Sequence, residues 1–135
     1  MSNPTTVVDE STSHEETPPP EMHEALALVQ RIGGRDLLTK VIGLFRTTSE
    51  QRLGAMRAAV AGDERQQLSR LAHAMKGSAA QVGAESLRAV SATLEKEAVG
   101  LGPAVLSARI DIMSVEVTNA WGQLEAYGRI EGGIA

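Results

Sequence analysis

Seven apolar residues near the C-terminus, Leu106, Ile110, Met113, Val117, Ala120, Leu124 and Tyr127, follow one another at steps of 4, 3, 4, 3, 4 and 3. Such stepping keeps a single helical face apolar over six turns, a seam that must be covered by other helices. A strand needs alternation at period two, and no segment sustains it. Val115-Glu116-Val117 comes nearest and lies inside the seam. The chain is therefore read as all-α.

The rest of the chain repeats the pattern in shorter pieces. Glu21 to Arg31 is expected to be a short helix with Met22, Leu26 and Val29 on one side, stopped at Gly33-Gly34. A longer helix follows from about Arg35 to Ala61, with Leu38, Ile42, Phe45, Leu53, Met56 and Val60 on one face, broadened by Val41 and Leu44. Gly62 ends it, and Asp63 with Gln66 reads as the capped start of the next helix. That helix closes at Gly83. Glu85 to Val99 forms the fourth, through Leu87, Val90, Leu94 and Ala98, before the break at Gly100 and Gly102. Pro103 suits the first turn of the last helix, which Gly128 and Gly132-Gly133 end. Four long amphipathic helices with short turns predict an antiparallel four-helix bundle, its end covered by the short N-terminal helix. Aromatics are scarce and alanines frequent, which favours a slim bundle over one hollowed for a cofactor.

Residues 1–20 differ in kind. They are rich in Ser, Thr, Glu and Pro, end in Pro18-Pro19-Pro20, and carry four acids without a Lys or Arg. This stretch is expected to be a disordered acidic tail or linker, leaving 21–135 as the domain. The tail holds the whole formal charge of −4, and the remainder balances. With no basic patch, nucleic acid is not expected as a partner. With no cysteine and no ligand spacing among His14, His23 and His73, neither a disulfide framework nor a metal site is expected. No stretch is apolar enough to span a membrane, and no secretory signal is present. The expectation is a cytoplasmic protein.

The chemistry is concentrated between Leu68 and Ala84. Leu68, Leu71, Ala72, Met75, Ala79 and Val82 make one apolar stripe. His73 lies roughly 140° from the stripe's centre, on the solvent face. Lys76 sits one turn on, beside Gly77-Ser78. Glycine inside a helix costs about 1 kcal/mol against alanine, so Gly77 makes sense where something must approach the backbone. A lone exposed histidine is ordinarily a solvated side chain. An outward histidine with a neighbouring cation, an unforced glycine and a Gly83-Ala84 stop is a more pointed combination.

The stretch Ala72-His73-Ala74-Met75-Lys76-Gly77-Ser78-Ala79-Ala80-Gln81-Val82-Gly83-Ala84 resembles the signature of histidine-containing phosphotransfer (HPt) domains: a histidine, two residues, Lys-Gly, small residues, then Gly-Ala or Gly-Leu. The resemblance extends to Gly33-Gly34-Arg35-Asp36-Leu37-Leu38 with Phe45, and to Gly62-Asp63 with Leu68, and the family fold is a four-helix bundle. By resemblance, Nε2 of His73 takes a phosphoryl group from a receiver-domain aspartate and passes it to another receiver. Neutral imidazole is a good nucleophile toward phosphorus. Lys76 would neutralise phosphate oxygens and Gly77 would leave access for the receiver. Glu95 matches the family's acceptor for the other ring nitrogen. Ser78 points away from His73, which favours packing, and Arg70 and Gln81 lie further around the helix.

The resemblance implies a carrier and not an enzyme with its own ATP site. No phosphate-binding Gly-Lys loop is present, and Mg²⁺ would come with the receiver. The partners implied are receiver domains of response regulators or a hybrid histidine kinase, with the protein itself a monomer. Two other readings stay open. One is a domain phosphorylated directly by a histidine-kinase catalytic domain, as in chemotaxis kinases. The other is a non-catalytic helical adaptor. Met1 and the length favour a free-standing protein over a fragment of a hybrid kinase.

Overall fold

The computed structural model describes residues 17–134. The expected tail lies almost wholly outside them. Four helices run in order: α1 Pro20–Ala61, α2 Arg65–Val82, α3 Glu85–Glu97 and α4 Pro103–Ile130. No strand occurs among the described residues. Each helix packs against its sequence neighbours, and α1 closes the ring against α4. This is the expected all-α bundle.

The expected short first helix and longer second one are the two segments of α1, and they meet at a kink at Gly34, whose backbone is non-helical (φ 69, ψ −160). The arm before the bend lies across one end of the bundle. Met22 and Leu26 from this arm are fully buried. Its Gln30 side chain takes a hydrogen bond from the Tyr127 hydroxyl and donates one to the Glu131 carbonyl at 3.4 Å. His23 meets Tyr127 edge-on, with ring centroids 5.3 Å apart. The arm thus ties the α2–α3 turn to the C-terminal end of α4.

The α2–α3 turn explains why. Gly83 takes a left-handed conformation (φ 72), and the Gly83 and Ala84 amides donate to the Ala80 and Ala79 carbonyls. This is the Schellman arrangement. A Cβ on Gly83 would fall 2.3 Å from the Glu21 carbonyl oxygen. The glycine therefore serves the turn and the seating of the arm together.

The α1–α2 turn departs from the sequence reading. Asp63 does not cap α2, which starts without a side-chain cap after Glu64. Instead Asp63 has φ 55, and the Asp63 and Glu64 amides donate to the Val60 and Ala59 carbonyls. It closes α1 as the left-handed residue of a second Schellman turn, a place Asp tolerates better than most side chains. Its carboxylate pairs with Arg65 Nε at 2.8 Å. Arg65 also donates to the Ala98 carbonyl at 3.1 Å and to the Leu101 carbonyl, fastening this turn to the α3–α4 connection.

Three smaller differences follow from packing. Helix α3 stops at Glu97, two residues short of the expected Val99. Helix α4 continues through Gly128 to Ile130. A Cβ added at Gly128 would sit at ordinary contact distance, 3.4 Å, from Ile42 and Ile134. Leu44 does not broaden the buried face of α1 and is 63% exposed. The core itself follows the helical stripes: Leu38, Met56, Leu68, Met75, Leu94, Leu106, Ile110, Met113 and Leu124 are all buried. Among the described residues, no helix is long and apolar enough to cross a membrane.

Candidate functional site

Helix α2 buries Leu68, Ala72, Met75, Ala79 and Val82 and so turns His73 outward at its midpoint. The imidazole is 67% exposed. One ring nitrogen is engaged nonetheless: Nδ1 lies 2.9 Å from Glu95 Oε2 on α3. The other carboxylate oxygen, Oε1, pairs with Lys76 Nζ at 2.8 Å. Glu95 therefore bridges the two α2 side chains.

The position of Glu95 is set by a contact that sequence inspection missed. Ser69, one turn before His73, donates its hydroxyl to the Glu95 backbone carbonyl at 3.1 Å. This bond fixes α3 against α2 at the level of the histidine. Its only sequence signal was a serine four residues before His73 on the face toward the next helix.

The Lys76 bond, with a smaller contribution from His73, holds the Glu95 carboxyl below its ordinary range, while burial acts against them. An ionised carboxylate can only accept. The hydrogen between Glu95 and His73 is therefore carried by Nδ1. In a neutral ring the proton cannot also sit on Nε2, which keeps a free lone pair facing away from α3.

The remaining candidates are dispersed. Gly77 is exposed, and a Cβ there would meet nothing within 4 Å. Packing does not ask for glycine at this point. Ser78 accepts a hydrogen bond from Arg52 of α1, in keeping with a packing role. Arg70 is exposed and donates from Nε and Nη2 to Gln67 Oε1 at 3.3 and 3.0 Å. Gln81 is exposed as well. Among the described residues, no group of three or more His, Asp or Glu is disposed to hold a metal ion.

Fold and site together define a class: a helical bundle that presents one oriented imidazole on an open flank. A family model for the Hpt domain matches residues 40–127, from the long arm of α1 through most of α4. The chain belongs to the Hpt domain family, the phosphotransfer modules of two-component phosphorelays, which work with receiver domains and histidine kinases. No curated protein and no solved structure matches it.

Proposed function

We propose that this protein is a phosphorelay carrier in which His73 receives a phosphoryl group from the aspartyl phosphate of one receiver domain and delivers it to the aspartate of another. The observation that carries this reading is the exposed imidazole with Nδ1 bound to Glu95. Nε2 attacks phosphorus as the P–O bond to the receiver's aspartyl oxygen breaks. The receiver's carboxylate leaves with the bonding pair. No proton has to be removed from Nε2, so no separate base is needed.

The ring becomes positive as the N–P bond forms. The Glu95 carboxylate, already hydrogen-bonded to Nδ1–H, stabilises that charge and keeps the ring in one orientation. Phosphoryl transfer draws mostly on positioning and charge neutralisation, which suits so small a constellation. Lys76 supplies positive charge beside the ring and holds Glu95, and Gly77 leaves the flank open to the receiver. The ion the reaction needs, Mg²⁺, comes with the receiver, and ATP is used only by an upstream kinase.

The test is transfer of label from a phosphorylated receiver domain, run beside His73→Gln. Label on the wild type that is acid-labile, base-stable and absent from the variant is expected. Labelling by a histidine-kinase catalytic domain, with none from a broad receiver panel, would replace the relay by direct phosphorylation. No labelling from either source would leave the adaptor reading.

A further inference from the structure

The two flanks of α2 beside His73 differ in charge. By helical arithmetic Ser69 and Lys76 lie roughly 40–60° to one side of His73, and Arg70 and Gly77 lie roughly as far to the other. The first side faces α3, because Ser69 and Lys76 both bond Glu95. Nδ1 of the ring points to that side. Nε2 accordingly opens toward the flank of Arg70 and Gly77. Long helical side chains also lean toward the N-terminus, which lays the imidazole over the turn that contains Arg70.

Lys76 is thus on the far edge of the ring from the nitrogen that reacts, and its charge is balanced by Glu95 at 2.8 Å. Arg70 is on the near edge, and its hydrogen-bond partner is the neutral amide of Gln67. Its neighbours at one helical turn, Gln66, Gln67, His73 and Ala74, include no acid. A phosphoryl group brings about 1.5 to 2 negative charges and three acceptor oxygens, which a guanidinium fork binds in two-pronged fashion. Gly77, with open space where a Cβ would be, leaves room for those oxygens.

We propose that Arg70 is the cation that binds the transferred phosphoryl group, leaving Gln67 for the oxygens on Nε2 while Lys76 stays on Glu95 and holds the ring. This rests on His73 being the phosphoacceptor. The covalent step is unchanged: the N–P bond forms at Nε2, the P–O bond to the aspartyl carboxylate breaks, and Arg70 exchanges one neutral acceptor for an anionic one.

The experiment compares wild type, R70Q, R70K, K76Q and H73Q with two donors, a phosphorylated receiver domain and the small molecule phosphoramidate. Phosphoramidate has no docking surface, so it isolates contact with the phosphoryl group. Expected for R70Q is phosphohistidine formation slowed about tenfold or more with both donors, with partial rescue in R70K. The ³¹P resonance of phosphorylated R70Q should also titrate at higher pH than wild type, because a nearby cation favours the dianion. Slowing with the receiver alone would overturn the proposal and make Arg70 a docking residue. Normal rates in R70Q with loss in K76Q would also overturn it, since Lys76 would then leave Glu95 for the phosphate. Labelling of H73Q, or no labelling of wild type by either donor, would instead remove the phosphoacceptor reading beneath it.

Discussion

At the scale of single residues, the site depends on a shared carboxylate. Glu95 is held ionised chiefly by Lys76 and secondarily by His73. A carboxylate with a lowered folded pKa adds stability that is present above the ordinary glutamate range and lost as pH falls through the lowered value. The Glu95 side-chain carboxyl signal, followed by NMR, should therefore titrate below the ordinary glutamate range, and Lys76→Gln should move it back up. In Glu95→Gln the amide can donate or accept, so the tautomer is no longer imposed. Receiver-dependent transfer should fall about tenfold to a hundredfold, with little change in melting. Gly77 gives a complementary test. With nothing within 4 Å of its absent Cβ, Gly77→Ala should stabilise the helix by about 0.5–1 kcal/mol in urea unfolding. A bulky Gly77→Phe should fold and yet block the receiver. The exposure of His73 was legible from the stripe of Leu68, Ala72, Met75 and Ala79. The Glu95–His73 contact was implied only by the family resemblance, and the grip of the same carboxylate on Lys76 was not legible at all, because both depend on the register between α2 and α3. Ser69 fixes that register, and no periodicity announces it.

At the scale of elements, both turns flanking α2 are Schellman closures, and only one of them reads as such in sequence. Gly83 announces itself, since glycine is the usual left-handed residue after a helix. Asp63 stood where a helix N-cap is ordinarily found, and the adjacent Gly62 offered itself as the stop. The chain uses one residue later, with Asp63 at φ 55 and its carboxylate spent on Arg65. Propensity could not distinguish these, because Asp is favoured at caps and tolerated in the left-handed region alike. Gly83→Ala should be costly for two additive reasons. Alanine in the left-handed region costs about 1–2 kcal/mol. Displacing the Glu21 backbone from a 2.3 Å contact adds about 1–3 kcal/mol as overpacking. Unfolding by denaturant should show a loss of about 2–5 kcal/mol, far more than any exposed alanine substitution on α2.

At the scale of the whole molecule, the bundle separates what makes it stable from what makes it reactive. The family match begins at residue 40, yet the arm before Gly34 contributes two fully buried side chains, Met22 and Leu26. Its apolar spacing was readable in the sequence, as was its stop at Gly33-Gly34. What could not be read was that Gln30 and Arg35, on either side of the kink, grip the C-terminal segment. All of these contacts lie at the end of the bundle near Gly83 and Tyr127. His73 lies nearly three turns of α2 away, about 15 Å along the axis. Leu26→Ala should accordingly leave a cavity and cost about 2–5 kcal/mol in unfolding free energy. Well below its melting temperature, the variant should still present His73 on Glu95 and accept label at close to the wild-type rate. Equal loss of stability and transfer would mean that the two ends are mechanically coupled. The rigid α2–α3 pair held by Ser69, Glu95 and Arg65 argues against such coupling, because each of those bonds joins α2 to α3 or the α3–α4 connection, and none passes through the arm.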